Sequence, residues 1–169
     1  MQVFIPNKEE MTVADKKNEK RVIAYNRKAR HDYFVDETYE AGLSLYGTEV
    51  KSVREGAVNL KDSFCYVKNG EIFAVGLRIS PYEKGNIFNR DPMREKKLLM
   101  HKREILKLGQ YVAKDSYTLI PLSLYFSGSK VKLELGLCKG KKLYDKRESD
   151  AKRDAKREIE KVTKYRDRG

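Results

Sequence analysis

Residues 122–137 read Leu-Ser-Leu-Tyr-Phe-Ser-Gly-Ser-Lys-Val-Lys-Leu-Glu-Leu-Gly-Leu. Val131, Leu133, Leu135 and Leu137 alternate with Lys130, Lys132, Glu134 and Gly136. That period of two is what a strand with one buried face requires, because successive side chains leave it on opposite sides. Leu122, Leu124 and Phe126 alternate in the same way just upstream, and Ser127-Gly128-Ser129 supplies a short turn. The stretch predicts a long β-hairpin.

Working outward, Asn69-Gly70 separates Phe64–Lys68 from Glu71–Leu77 and predicts a second hairpin, since both central residues of its tight turn need positive φ. Tyr39, Ala41, Leu43 and Leu45 alternate ahead of Gly47. Two helices are expected between the strands. One runs from Thr48 to Glu55, with Val50 and Val53 one turn apart and Gly56 as its C-cap. The other runs from Lys102 to Val112, with Ile105, Leu108 and Val112 at helical spacing and Glu104 placed as a capping acid. Short antiparallel strands with few helices predict a small closed barrel.

The chain has 169 residues, enough for one domain. Lys and Arg number 37 against 25 Asp and Glu, a formal charge of +12, and a field of that sign attracts polyanions, RNA or DNA first among them. From Lys139 onward 13 basic and 7 acidic residues concentrate half of the excess in a C-terminal tail. No apolar run is long enough to span a bilayer and none reads as a secretory signal, so a cytoplasmic protein is expected. Cys65 and Cys138 are then reduced core thiols. Two histidines and two cysteines, far apart, make neither a metal site nor a catalytic constellation, and no phosphate-binding glycine loop or nucleophile elbow is present. Neither catalysis nor a cofactor is expected.

Four segments carry a resemblance. They are Tyr25-Asn-Arg-Lys-Ala-Arg-His-Asp-Tyr-Phe34; Tyr39-Glu-Ala-Gly-Leu43 running into Gly47-Thr-Glu-Val-Lys-Ser52; Asp91-Pro92 with Lys97-Leu98-Leu99 and His101-Lys-Arg-Glu-Ile105; and Lys139-Gly-Lys-Lys-Leu-Tyr-Asp-Lys-Arg147. Together, and in this order, they resemble the SsrA-binding protein (small protein B) family of bacterial trans-translation. The resemblance implies a mainly β fold: a closed six-stranded antiparallel barrel of the oligonucleotide-binding type with short flanking helices. The polar, aperiodic stretch ahead of Arg21 reads by itself as a flexible N-terminal arm, 1–20; the resemblance adds the barrel, 21–142, and a basic tail, 143–169, helical on the ribosome. It further implies a non-enzymatic adaptor, expected to be monomeric, that binds the tRNA-like domain of transfer-messenger RNA and takes it to stalled ribosomes. There the tail would occupy the vacant decoding site and messenger channel. The elongation factor carrying the alanylated RNA is an expected further partner; a membrane is not.

Family RNA-contact positions map onto Asn26, His31, Glu40, Leu99 and Lys130. Many members carry Asn where this chain has His101, and Tyr144 stands where some have a histidine thought to stack on a ribosomal base. Asp145-Lys146-Arg147 matches the family's tail motif. Each residue also has a plainer reading. Glu40 points away from the core and could accept from a base amino group or a 2′-OH, or form a structural ion pair. His31 stacks on an unpaired base or sits in a solvated basic turn. His101 contacts a base or only precedes a helix. Leu99 both packs and shapes a surface. Lys130 and Lys132 form a two-lysine stripe opposite the leucines, suited to successive phosphates.

In the tail, Ala151, Ala155, Ile159 and Val162 make a narrow apolar stripe, and four ion pairs (Glu148–Lys152, Asp150–Arg153, Asp154–Arg157, Glu160–Lys164) have helical spacing. Such pairs contribute about 0.2–0.5 kcal/mol each, against about 1–2 kcal/mol of backbone entropy per ordered residue. An unfolded tail is therefore expected in the free protein. Three rival classes remain: a general barrel RNA binder with exposed stacking aromatics, an RNA-processing enzyme and a peripheral membrane protein. Phe64 and Phe126 fall in phase with core leucines or beside turns, no acid/base pair stands out, and the tail stripe is too thin for a membrane.

Overall fold

The computed structural model of the chain describes residues 20–166, the side chains of residues 143, 144, 165 and 166 excepted. Residues 1–19 of the expected N-terminal arm and the Tyr144 side chain lie outside the described residues, and Lys20, placed at the end of that arm, begins a strand instead.

The long hairpin is present as β8 (Thr118–Ser127) and β9 (Lys130–Gly140), and the Asn69-Gly70 hairpin as β4 (Phe64–Lys68) and β5 (Glu71–Val75). At its tip Asn69 and Gly70 have φ of 52° and 73°, the doubly positive turn that joins twisted strands. With β2 (Tyr33–Leu43) and β7 (Lys96–Leu99), these strands follow the order β8-β4-β5-β7-β2-β9, and β9 returns to β8. All pairings are antiparallel, so the ring is a closed six-stranded barrel. β1 (Lys20–Tyr25) adds to β8 on the edge that β4 leaves uncovered. A separate two-stranded ribbon pairs β3 (Val58–Asn59) with β6 (Arg78–Ile79).

Inside the ring, Ala41, Leu43, Ile72, Ala74, Leu98, Leu124, Leu133, Leu135 and Leu137 form one apolar core. Helix α3 (Lys102–Lys114) adds Ile105 and Leu108 to it, and α2 (Gly47–Arg54) adds Val53. Cys65 and Cys138 are buried free thiols; burial pushes the Cys138 thiol up to about 11.

Four expectations change. Leu122 does not share the face of Leu124: the β8–β9 register shifts between Pro121 and Ser123, and this bulge flips the alternation. Leu122 and Ile120 instead pack outside the ring with Cys138 and Ala29. Gly136 permits this, since a Cβ there would come within 2.8 Å of Leu122 Cδ1. Phe64 is exposed rather than core, because its neighbour Cys65 takes the inward position. Val112 is likewise exposed, and Tyr111 packs against the core in its place. The basic turn at Arg27–His31 is a helix, α1 (Arg27–Asp32), too short to show a period.

The expected unfolded tail is also replaced by a helix, α4 (Leu143–Arg166). Its first turns are held against α1: Asp150 meets His31 at 2.8 Å and Lys146 meets Asp32 at 3.7 Å. Lys141 joins the same root, 3.0 Å from Ser149 Oγ and 3.3 Å from the Arg30 carbonyl. A helix seeded at one end avoids the nucleation cost that burdens an isolated peptide. From Ala151 to Lys164 every residue is exposed, and Glu148–Lys152, Asp150–Arg153 and Asp154–Arg157 pair along the helix as expected.

Candidate nucleic-acid interface

The outward positions of four neighbouring strands form one continuous strip. Tyr125 on β8 lies opposite Lys132 on β9, Lys132 opposite Gly42 on β2, and Gly42 opposite Leu99 on β7. Each is out of phase with the core leucines of its own strand. Above this strip stand the start of α3 and the tip of the β4–β5 hairpin, and between them runs a groove of about 610 Å³. Glu40, Leu99, His101 and Lys132 all line it, so the fold brings together four residues read from separate parts of the sequence.

The chemistry of the groove is balanced. Lys97, Lys102 and Lys132 face it, as do Glu40, Glu71 and Glu104. Lys97 pairs with Glu71 at 2.6 Å. Glu40 is a hub: it accepts a hydrogen bond from the Tyr125 hydroxyl and lies 3.5 Å from both Lys132 and Lys20. The Tyr125 hydrogen bond, reinforced by the two lysines, holds the Glu40 carboxyl below its ordinary range, so it stays ionised. Burial first, and then Glu40, pushes the Tyr125 phenol well up, so it remains a donor. Leu99 is 53 % exposed in the floor of the groove. Fixed donors and acceptors around an open apolar side chain suit the edges of bases and ribose hydroxyls, which phosphate-seeking lysines alone do not read.

His101 is the N-cap residue of α3 by position, but its side chain caps nothing and is exposed to the groove. Lys130 lies on the same strand face as Lys132, exposed beside the hairpin turn and outside the groove.

Asn26 and His31 are elsewhere. Asn26 is only 5 % exposed. Its Oδ1 caps α1 at Ala29 N, 3.1 Å, and its Nδ2 donates to the carbonyls of Leu60 and Pro121, at 3.1 and 2.9 Å. It is a bracket joining α1 to Leu60, just past β3, and to Pro121 within β8. His31 has both ring nitrogens engaged, 2.8 Å from Asp32 and 2.8 Å from Asp150. Their hydrogen bonds, Asp150 first, raise the His31 pKa. In the tail, Asp145 lies in the first turn of α4, Arg147 and Ile159 are exposed, and Lys146 reaches Asp32.

Tyr125, whose hydroxyl fixes Glu40, belongs to no motif in the sequence. Its signal was present: a hydroxyl-bearing ring between Leu124 and Phe126 must face outward. Among the described residues no group of His, Cys, Asp and Glu could hold a metal ion, and no helix is long and apolar enough to cross a membrane.

A family model described as SmpB protein matches residues 23–165. The SsrA-binding protein of Acetivibrio thermocellus is 63 % identical over 148 residues, covering 88 % of this chain and 96 % of that protein. The SsrA-binding protein of Caldicellulosiruptor bescii is 62 % identical, covering 91 % and 98 %. Among solved structures, a chain described under "tmRNA-SmpB: a journey to the center of the bacterial ribosome" aligns with a TM-score of 0.61 at 49 % identity, covering 71 % of this chain and 85 % of that one.

Proposed function

From the premise that this chain belongs to the SmpB family, we propose that it is a non-catalytic RNA-binding adaptor of trans-translation. It binds the tRNA-like domain of transfer-messenger RNA and brings that RNA to ribosomes stalled on incomplete messages. The observation that carries this reading is the groove uniting Glu40, Leu99, His101 and Lys132 across β2, β7, β9 and the start of α3. Its mixed donors and acceptors read base edges and 2′-hydroxyls, while Lys130 and Lys20 at its margin meet phosphates. Asn26 works away from this groove, holding α1, against which the tail docks, to Leu60 and Pro121. The tail, with Tyr144, Asp145, Lys146, Arg147 and Ile159, enters the vacant decoding site and messenger channel, and tagging of the stalled product follows. The adaptor is monomeric and cytoplasmic, and shares its RNA with the elongation factor that delivers the alanylated form.

The test is a pair of binding isotherms and a tagging assay. The full chain prefers the tRNA-like domain to a single-stranded RNA of equal length. Truncation after Lys142 leaves that affinity within a few-fold but abolishes tagging on stalled ribosomes. Loss of RNA binding on truncation, or equal affinity for both RNAs, refutes the assignment.

A further inference from the structure

A second groove, of about 360 Å³, shares no residue with the first. It lies between the N-terminus of α2 and the segment 82–90 and is lined by Tyr46, Tyr82 and Phe88 together with Lys51, Lys84 and Arg90, with no carboxylate. On its rim Ile87 and Phe88 are 88 % and 70 % exposed.

This exposure belongs to a braced loop. Asn89 Oδ1 accepts from Tyr82 N at 3.0 Å and its Nδ2 donates to Tyr82 O at 2.8 Å, closing the loop on itself. Gly85 leaves room for that staple, since a Cβ there would sit 2.5 Å from Asn89 Oδ1. Thr48 Oγ1 donates to the Phe88 carbonyl at 3.2 Å, tying the loop to α2. Behind it, Arg94 grips Glu49 of α2 through both Nε and Nη2, and the wholly buried Lys96 ammonium donates to the carbonyls of Leu77, Pro92 and Arg94. A loop held this firmly while showing two large apolar side chains to water marks a surface that a partner covers.

The cations identify the partner. Arg90 stands 4.1 Å over the Tyr46 ring and Lys51 5.4 Å from the Tyr82 ring, so charge and aromatic faces interleave. Rings beside lysines and arginine, with the exposed Glu83 outside the lining, suit the stacked bases and phosphates of a single strand; a duplex hides its base faces. We propose that this groove is a second RNA site, which takes an unpaired RNA segment by stacking on Phe88 and Tyr82 and by charge contacts with Lys51, Lys84 and Arg90. The site rests on the proposed function only in that the protein works on RNA; it needs no contact of the first groove.

The test uses the full chain and a fluorescein-labelled ten-nucleotide oligouridine, read by anisotropy, with the tRNA-like domain and a ten-base-pair RNA duplex as parallel probes. Phe88→Ala, at an exposed position that leaves the melting temperature unchanged, weakens oligouridine binding on the order of tenfold, and Phe88→Tyr restores it. Lys84→Ala weakens it less and flattens its salt dependence. Affinity for the tRNA-like domain and the duplex stays within twofold in Phe88→Ala. Failure of the parent chain to bind oligouridine, unchanged binding by Phe88→Ala, or an equal loss for all three probes overturns the proposal. Oligouridine binding that depends on Phe88, in a chain that does not recognise the tRNA-like domain, upholds this site while refuting the adaptor role.

Discussion

His31 Nε2 lies 2.8 Å from an Asp150 carboxylate oxygen while Nδ1 lies 2.8 Å from Asp32, so one imidazole joins α1 to the tail helix. Residues 119 positions apart in sequence are thereby made neighbours, and the start of the tail acquires a fixed direction relative to the barrel.

That bridge makes tail docking pH-dependent. The His31 pKa is raised above 6.5 by its hydrogen bonds to Asp150 and then Asp32. A raised value means that the cation favours the docked state. The contribution is complete below pH 6.5 and fades as pH climbs through the raised value. Asp150 and Asp32 are both lowered from 3.8, mainly by His31, so their contribution fades instead as pH falls through the lowered carboxylate range. NMR titration of His31 should give a value above the ordinary one, and Asp150→Asn should bring it down. A His31 titration identical in the two proteins would refute the bridge.

From Ala151 to Lys164 the tail helix is exposed along its whole described length. A peptide of residues 143–169 should show little helix in water by circular dichroism, since it lacks the α1 anchor and meets the nucleation cost alone. Ile159→Pro, at a helix-interior position where proline costs about 3 kcal/mol or more, should spare binding of the tRNA-like domain and the melting of the barrel yet reduce tagging steeply. A strongly helical isolated peptide, or normal tagging by Ile159→Pro, contradicts this.

The two charges at the centre of the groove should separate in salt titrations. Lys132→Ala removes a cation that lines the groove and should flatten the slope of log K against log salt by somewhat under one unit. Glu40→Ala removes the carboxylate that accepts from Tyr125 and aligns Lys132 and Lys20, so affinity should fall without flattening. Equal changes of slope in the two variants would show that Glu40 is no organiser.

Lys96 has no exposure and gives its ammonium to three carbonyls, at 2.7, 3.0 and 3.0 Å, while burial lowers its pKa to about 8. Lys96→Met keeps the stem but leaves those carbonyls unpaired. It should cost about 2 kcal/mol, seen as a melting temperature lower by about 4–8 °C. A variant that melts like the parent would mean that the loop 77–94 is held by other contacts.

The barrel was legible because its evidence is local. Val131, Leu133, Leu135 and Leu137 face one way for any neighbours, since the strand period is a property of the backbone, and Asn69-Gly70 sets its own turn. Leu122 was misread by the same rule: a bulge between Pro121 and Ser123 depends on how β8 pairs with β9, which the period cannot reveal. Glu40, Leu99, His101 and Lys132 could each be placed on an outward face or at an element's start, yet nothing local said that they share a groove.

What the sequence determined by itself, then, was the strand and turn pattern, the excess of cations and the motifs that carry the family resemblance. What tertiary structure alone decided was the fate of the polar residues. Asn26 and His31 lie in one basic segment, and Lys96 beside Lys97, with similar neighbours in sequence. Packing buries Asn26 against Leu60 and Pro121, sets His31 between two carboxylates, and encloses Lys96 while Lys97 stays in water. The hydration and partners of a polar group depend on atoms tens of residues away. No periodicity encodes them, and they exist only once the chain has closed into its barrel.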